Sequence, residues 1–372
     1  MSWKKVKLGE VLFYEQPTKY IVASDNYNDE FKIPVLTAGK SFILGYTNET
    51  EGIFENLPVI IFDDFTADSK YVDFRFKVKS SAMKILQVNK EKADLRFLFY
   101  LMQTLNVDCE QHKRYWISKF AELEIPLPPL PIQKRIAEIL DAADALRRKD
   151  QELLRKYDEL AQAIFIDMFG DPVKNEKGWE VKTIGDVCYS VKDGPHVSPK
   201  YTKTGIPFIS VNNIINGVID ISNCKYISQE DFEIYSKKGK PEKHDILYTK
   251  GGTTGFAKRV DVDFEFSQWV HVALLKFNHD IINSAFFEYM LNNSFCYNQS
   301  QLRTKGIANR DLVLGEMKKI QILLPPIQKQ REFESKILLL EKARKGNFES
   351  IDRSSSLFDS LLQQAFKGEL VK

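Results

Sequence analysis

The sequence predicts an α+β protein: a tandem pseudo-twofold repeat of two mixed α/β domains, each followed by a long α-helix, with the helices paired as an antiparallel coiled coil. Three observations predict it. Short motifs recur in the same order in both halves. Each half sets short strand and helix patterns ahead of a Pro-Pro break. Behind each break runs an apolar pattern with heptad spacing.

The repeat opens with WKKVKLGEV from Trp3, matched by WEVKTIGDV from Trp179; the shared frame is Trp, Leu or Ile, Gly, an acid, Val. IPVLT from Ile33 then matches IPFIS from Ile206, and FLFYLM from Phe97 matches FFEYML from Phe286. Last come IPLPPLPIQKRI from Ile125 and ILLPPIQKQREF from Ile322. Four matches in one order indicate duplication, with insertions falling in loops.

The first domain is expected over residues 1–130. LPVIIF from Leu57 reads as a strand. DFRFKVK alternates Phe74, Phe76 and Val78 with Arg75, Lys77 and Lys79, the pattern of a half-buried strand. ADLRFLFYLMQTL reads as a helix. A central helix follows over 131–170, because Pro131 fits a first turn and Gly170-Asp171-Pro172 ends the pattern. Its apolar residues step by four and three through Ile132, Ile136, Ile139, Ala143 and Leu146, then Leu153, Tyr157, Leu160 and Ile164, broken at Asp150. The second domain, 178–327, has GIPFISV, HDILYT and HVALLKF as strands and NSAFFEYMLNNS as a helix. The last helix, 328–370, carries Phe333, Ile337, Leu340, Ile351, Phe358, Leu361 and Ala365 in heptad phase, with Arg344, Asn347 and Ser354 in its polar middle.

A helix with a narrow apolar seam needs a partner in water. The other half's copy is the expected one, and antiparallel pairing relates the halves by a pseudo-twofold axis. Asp150 would meet Arg344 and Asn347 in a parallel pair too, so these residues do not fix orientation; packing of each helix on its own domain is the other arrangement. A rod of about 57 Å corresponds to roughly 17 base pairs of B-form DNA.

Composition sets further bounds. Of 372 residues, 43% are hydrophobic and 28% charged, ordinary for a water-soluble chain. The opening MSWKKVKLGE lacks the apolar core of a secretory signal, and no run approaches the ~20 apolar residues of a membrane span. Cys109, Cys188, Cys224 and Cys296 are scattered, as expected of reduced thiols in the cytoplasm; the five histidines show no metal-ligand spacing. The net charge of +2 excludes a uniform polyelectrolyte grip on nucleic acid. Local clusters remain. Seven cations between Ser236 and Arg259 face only Glu242 and Asp245, and five between Lys70 and Lys84 face Asp73 alone.

These features together resemble the specificity (S) subunit of a type I restriction-modification enzyme. The duplicated proline motifs, the helices behind them, the paired domain openings and VIIFDDFTADSKYVDFRFKVKSSAMKIL from Val59 carry the resemblance. It implies two target-recognition domains, each reading half of a bipartite, asymmetric site in double-stranded DNA. The paired helices would be spacer and dock for two methyltransferase (M) subunits, with two restriction (R) subunits completing the complex. That complex would methylate adenine N6 with S-adenosylmethionine, or cleave with ATP and Mg2+; this chain would bind no cofactor and no metal itself. No phosphate loop is present, since GGTTGFAK lacks the spacing, and neither Pro-Pro pair has an adenine-methylation frame. Asp171, Glu180 and Lys182 make only a weak nuclease pattern.

Candidate DNA contacts in the second domain are Lys250, Gly251, Gly252, Thr253, Thr254 and Lys258, with Arg303, Lys305, Asn309 and Arg310. Lysine serves phosphates, glycine admits close backbone approach, and Asn and Arg suit base edges. In the first domain the candidates are Lys70, Lys79, Lys113 and Arg114, with Tyr115 stacking on a base; Asp63 and Asp64 either meet cytosine or serve the core edge. Pro128, Pro129 and Gln133, with Pro325, Pro326 and Gln330, mark the helix joints, each glutamine bracing its first turn or touching the methyltransferase. A non-DNA adaptor, holding two partner proteins on a coiled-coil rod, is the competing class.

Overall fold

A computed structural model describes residues 3–38, 41–105, 115–307 and 309–371. The chain divides into two compact units: Met1–Glu152 with Phe348–Lys372, and Leu153–Asn347.

In the first unit four antiparallel strands run in the order Leu12–Glu15, Met83–Val88, Val59–Asp63, Ser69–Val72. Every residue of Val59–Asp63 is buried, as its unbroken apolar run implies. A three-stranded sheet orders Ile43–Thr47, Ile33–Leu36 and Lys77–Val78, the last pair parallel. A third sheet pairs Lys4–Lys7 with Glu124–Leu127, so the opening of the repeat lies beside its proline break. Helix α1 (Leu95–Gln103) starts at Asp94, whose carboxylate accepts from the Phe97 N–H at 2.9 Å. Helix α2 spans Leu130–Phe169.

The second unit repeats this plan strand for strand. Its four-stranded sheet orders Cys188–Asp193, Val272–Phe277, Ile246–Thr249 and Ala257–Arg259. Its three-stranded sheet orders Lys225–Ile227, Ile206–Ile209 and Ser267–Gln268, the last pair again parallel. Glu180–Thr183 pairs with Gln321–Leu324. Helix α3 (Ser284–Asn292) is capped by Asn283, and α4 (Ser294–Arg303) follows, then α5 (Ile327–Lys367). The fold is thus α+β, twice over. The shared Gly has a shared reason: a Cβ on Gly9 would come within 3.0 Å of the Ala121 carbonyl oxygen, and one on Gly185 within 3.2 Å of that of Lys318.

Residues 73–79 depart from the alternation read in the sequence. Only Lys77–Val78 is strand; Phe74 is partly exposed, while Lys77 is buried with its amine 2.8 Å from Glu49. A remote carboxylate offsets the cost of burying that lysine, and the sequence window does not contain it.

The long helices pair antiparallel within each unit. In the first, Arg147 lies over the Phe358 ring and the Asp150 carboxylate accepts from the Ser350 hydroxyl at 3.1 Å. In the second, Asp158 meets Arg344 at 3.5 Å, and the Phe165 and Phe333 rings are 5.7 Å apart. Advancing along α2 therefore means retreating along α5. The helices also pack on globular elements: Phe358 and Phe366 of α5 against Tyr100 and Phe97 of α1, and Phe165 of α2 against Phe286 of α3. Those contacts are with the other repeat's domain; each helix also meets its own, where the Tyr100 hydroxyl donates to Asp141 of α2 at 2.6 Å and the Phe333 ring of α5 lies 5.3 Å from that of Tyr289, so pairing and own-domain packing, set as alternatives, occur together.

The seam of α2 keeps the expected Ile136, Ala143, Tyr157 and Ile164, but its alternate positions are shifted by one residue from Ile139, Leu146, Leu153 and Leu160. Its inward positions are Ile136, Leu140, Ala143, Arg147, Asp150, Leu154, Tyr157, Ala161, Ile164 and Met168, still stepping by four and three. Ile139 lies beside the seam, and Leu146, Leu153 and Leu160 are 46%, 38% and 46% exposed. Asp150 lies mid-seam, as expected, and is buried there. In α5 the expected phase holds, with Phe333, Ile337, Asn347, Ser354, Phe358 and Ala365 buried.

Candidate nucleic-acid interface

Each domain is tied to its helix at the Pro-Pro joint by one glutamine. The Pro129 carbonyl accepts from the Ile132 and Gln133 N–H groups, and that of Pro326 from Lys329 and Gln330, so both helices start in the same way. Gln133 is fully buried; its Oε1 accepts from the Asp94 N–H at 2.8 Å, and its Nε2 donates to the carbonyls of Pro128 and Lys92 at 2.7 and 3.3 Å. Gln330 repeats this with the Asn283 N–H at 2.8 Å and the Pro325 and Ile281 carbonyls at 2.7 and 3.2 Å. Both glutamines are bracing residues. With no exposed surface they cannot touch a partner subunit, which corrects that alternative. Pro128 and Pro325 are likewise buried, whereas Pro129 and Pro326 are exposed.

The basic clusters are largely neutralised within the fold. All five cations between Lys70 and Lys84 meet carboxylates: Lys70 with Asp68, Arg75 with Glu55, Lys77 with Glu49, Lys79 with Asp25, and Lys84 with Asp64. Six of the seven between Ser236 and Arg259 are paired too, for example Lys238 with Asp193 at 2.6 Å and Lys243 with Asp263 at 2.5 Å. Lys258 is buried between Asp261 at 2.7 Å and Glu288 at 3.3 Å. Its amine cannot reach a phosphate, so it leaves the set of DNA candidates. Lys250, also buried, joins Asp311 at 2.8 Å and Asp193 at 3.8 Å; it anchors its loop.

In the second unit the two candidate segments come together. The Gly252 N–H donates to the Arg310 carbonyl and the Leu312 N–H to that of Lys250. The Thr254 and Thr304 hydroxyls are 3.0 Å apart, and Gln301 Nε2 donates to the Thr254 carbonyl at 3.0 Å. Gly255 needs its glycine: φ is +88°, and a Cβ would fall 2.1 Å from Ser300 Oγ. Thr254 and Gly251 are buried by this junction, which takes them from the contact surface; Gly252, Thr253, Lys305, Asn309 and Arg310 stay exposed, with Arg303 half-buried. Sequence reading missed Asp193, Gln301 and Asp311, which hold the junction. Asp193 also meets His196 at 3.4 Å. Burial alone would raise its carboxyl, but the hydrogen bond from Lys238 and nearby positive charge outweigh this and hold it below the usual carboxylate value.

In the first unit Tyr115 is fully buried, so its ring is not available to stack on a base. The Asp64 carboxylate accepts from the Trp116 N–H at 2.9 Å and lies 3.4 Å from Lys84, while Asp63 caps the following turn through Phe65 and Thr66; both serve the core edge. Lys70 is exposed and Lys79 half-buried. Lys113 and Arg114, with Cys109 and His112, lie outside the described residues. Asp171 accepts from the Val173 N–H, and Glu180 pairs with Lys182 at 2.7 Å in an exposed strand. Among the described residues no group of three or more His, Cys, Asp or Glu side chains could hold a metal ion, and no helix is long and apolar enough to cross a membrane.

Residues 1–155 and 176–338 match the family model of the type I restriction modification DNA specificity domain. The chain is 40% identical to the EcoR124I/EcoR124II type I restriction enzyme specificity subunit of Escherichia coli, over 60% of this chain and 58% of that one. It is 29% identical to the MjaIX specificity subunit of Methanocaldococcus jannaschii, over 68% of this chain and 62% of that one. The match thus spans about three fifths of the length of these relatives. In fold it is similar to the type I restriction-modification S subunit from M. genitalium, at a TM-score of 0.63 and 16% identity, covering 98% of this chain and 96% of that one. Two copies of the domain, built on one strand order and each joined to a long helix by a buried glutamine, place the chain in the type I restriction modification DNA specificity domain family.

Proposed function

We propose that this chain is the DNA-recognition subunit of a type I restriction-modification system. It reads a bipartite, asymmetric duplex site, one domain per half-site, and carries no catalytic group itself. The observation that supports this most is the doubled specificity domain, in which one strand order carries two different sets of loops. One fold with different exposed residues suits two different half-sites. The paired helices serve as spacer and as dock for two methyltransferase subunits, and two restriction subunits complete the cleaving complex. Those partners supply adenine-N6 methylation from S-adenosylmethionine, and cleavage with ATP and Mg2+.

The test is selection from a pool of random duplexes by the chain purified with its methyltransferase. Enrichment of one bipartite sequence is expected; a pool that stays random overturns the proposal. The internal pairing of so many cations favours a second reading, an adaptor that holds two partner proteins. An adaptor would assemble with those proteins and enrich no duplex.

A further inference from the structure

Ile307 is fully exposed, and Leu302 at the end of α4 is 85% exposed. Single exposed apolar side chains are common and need no explanation by themselves. The surroundings of Ile307 set it apart. The backbones of Lys305 and Asp311 exchange hydrogen bonds of 2.9 Å in both directions, and Asp311 is held in turn by Lys250. Ile307 is therefore exposed two residues from an anchored backbone pair.

Its neighbours are positive and, among the described residues, none is tied up in an ion pair; Glu316, already paired with Lys319, is the carboxylate that feels Lys305 and Arg303. Among the described residues Arg303, Lys305 and Arg310 form no ion pair, although most cations of the 237–259 segment do. Arg303 donates to the Gln299 carbonyl and Arg310 to the Gln301 side chain. Neutral partners hold these guanidiniums in place and leave their charge available. The next carboxylate along the chain, Asp311, is taken by Lys250.

An apolar tip flanked by cations that form no ion pair matches the make-up of a DNA groove, with phosphates on the rims and base edges between them. Apolar side chains recognise the thymine methyl group or lever apart a base step. We propose that Ile307 is a specificity-determining residue of the second domain, in apolar contact with the bases of its half-site, while Arg303, Lys305 and Arg310 hold the phosphates on either side. This rests on the DNA-recognition reading.

The experiment uses the full chain in complex with its methyltransferase and a pool of random duplexes. Wild type, Ile307→Leu and Ile307→Ser are compared, with complex assembly followed by gel filtration. Wild type and Ile307→Leu should enrich the same bipartite sequence. Ile307→Ser should lose preference at one or two positions of a single half-site, with about tenfold weaker binding to the wild-type sequence. If wild type enriches nothing, the DNA-recognition reading fails. If wild type enriches a sequence and Ile307→Ser gives the same profile and affinity, the role of Ile307 fails alone. Loss of methyltransferase assembly in Ile307→Ser would mark Ile307 as a protein contact and likewise overturn it.

Discussion

Replacing Gln330 by leucine tests how a domain is locked to its helix. The side chain is fully buried and its three hydrogen bonds all go to backbone: one N–H, of Asn283, and two carbonyls, of Pro325 and Ile281. Leucine keeps most of the volume and leaves all three groups without this partner, the Asn283 N–H and the Pro325 carbonyl buried and the Ile281 carbonyl partly so. At about 1–3 kcal/mol per stranded group, partly relieved by relaxation, the loss should be about 3–5 kcal/mol. Gln330→Glu keeps the acceptor for Asn283 but turns a carboxylate oxygen toward two carbonyls. It should therefore destabilise at neutral pH and recover in part on acidification, where protonation restores a donor. Gln133→Leu should cost the same within about 1 kcal/mol, because its bonds match within 0.1 Å. Urea unfolding followed by tryptophan fluorescence reads the loss, and hydrogen exchange at the Asn283 amide reads the local opening. A cost below about 1 kcal/mol at both joints, with Asn283 still protected, would refute the reasoning.

Three further outcomes follow from the site. Gly255→Ala should weaken the junction by about 2–4 kcal/mol, since φ is +88° and the Cβ would overlap Ser300 Oγ; Ser300→Ala should rescue little of it, because the backbone strain remains, as thermal unfolding of the pair would report. Asp193 is held below the usual carboxylate value in the folded chain, so its contribution is present above the unfolded value near 3.8 and is lost as pH falls through the folded one. Lys238→Met should lower stability at pH 6 and flatten the acid limb below pH 4; an unchanged acid limb would count against the pair. Burial pushes the Cys188 thiol up to about 12, so iodoacetamide at pH 8 should label it at least tenfold more slowly in the native chain than in urea, measured by peptide mass mapping.

Legibility in the sequence differed between the two helices. In α5 the polar middle lies between apolar residues at Phe333, Ile337 and Leu340 and at Phe358, Leu361 and Ala365 in one register, and the phase was plain. In α2 two heptad stripes run side by side. Leu146, Leu153 and Leu160 look like the seam on hydrophobicity, yet Arg147 and Asp150 occupy it, because Phe358 offers a ring for the guanidinium and Ser350 a hydroxyl for the carboxylate. Partners on another segment chose the stripe. The same applies to the candidate site: the glycine loop and the 303–310 stretch were both read as contact segments, but their junction, which buries Lys250 and Thr254, depends on Asp193, Gln301 and Asp311.

By itself the sequence determined the duplication, the two proline joints and the long helices, because helix caps, proline breaks and heptad spacing act between residues a few places apart. Which charges remain available was decided only by the tertiary structure. Lys77 finds Glu49, Lys238 finds Asp193 and Arg259 finds Glu341 across long stretches of chain. Coulomb attraction depends on distance in space, so a cluster that looks basic along the chain can be neutral once folded, while Arg303, Lys305 and Arg310 enter no ion pair among the described residues.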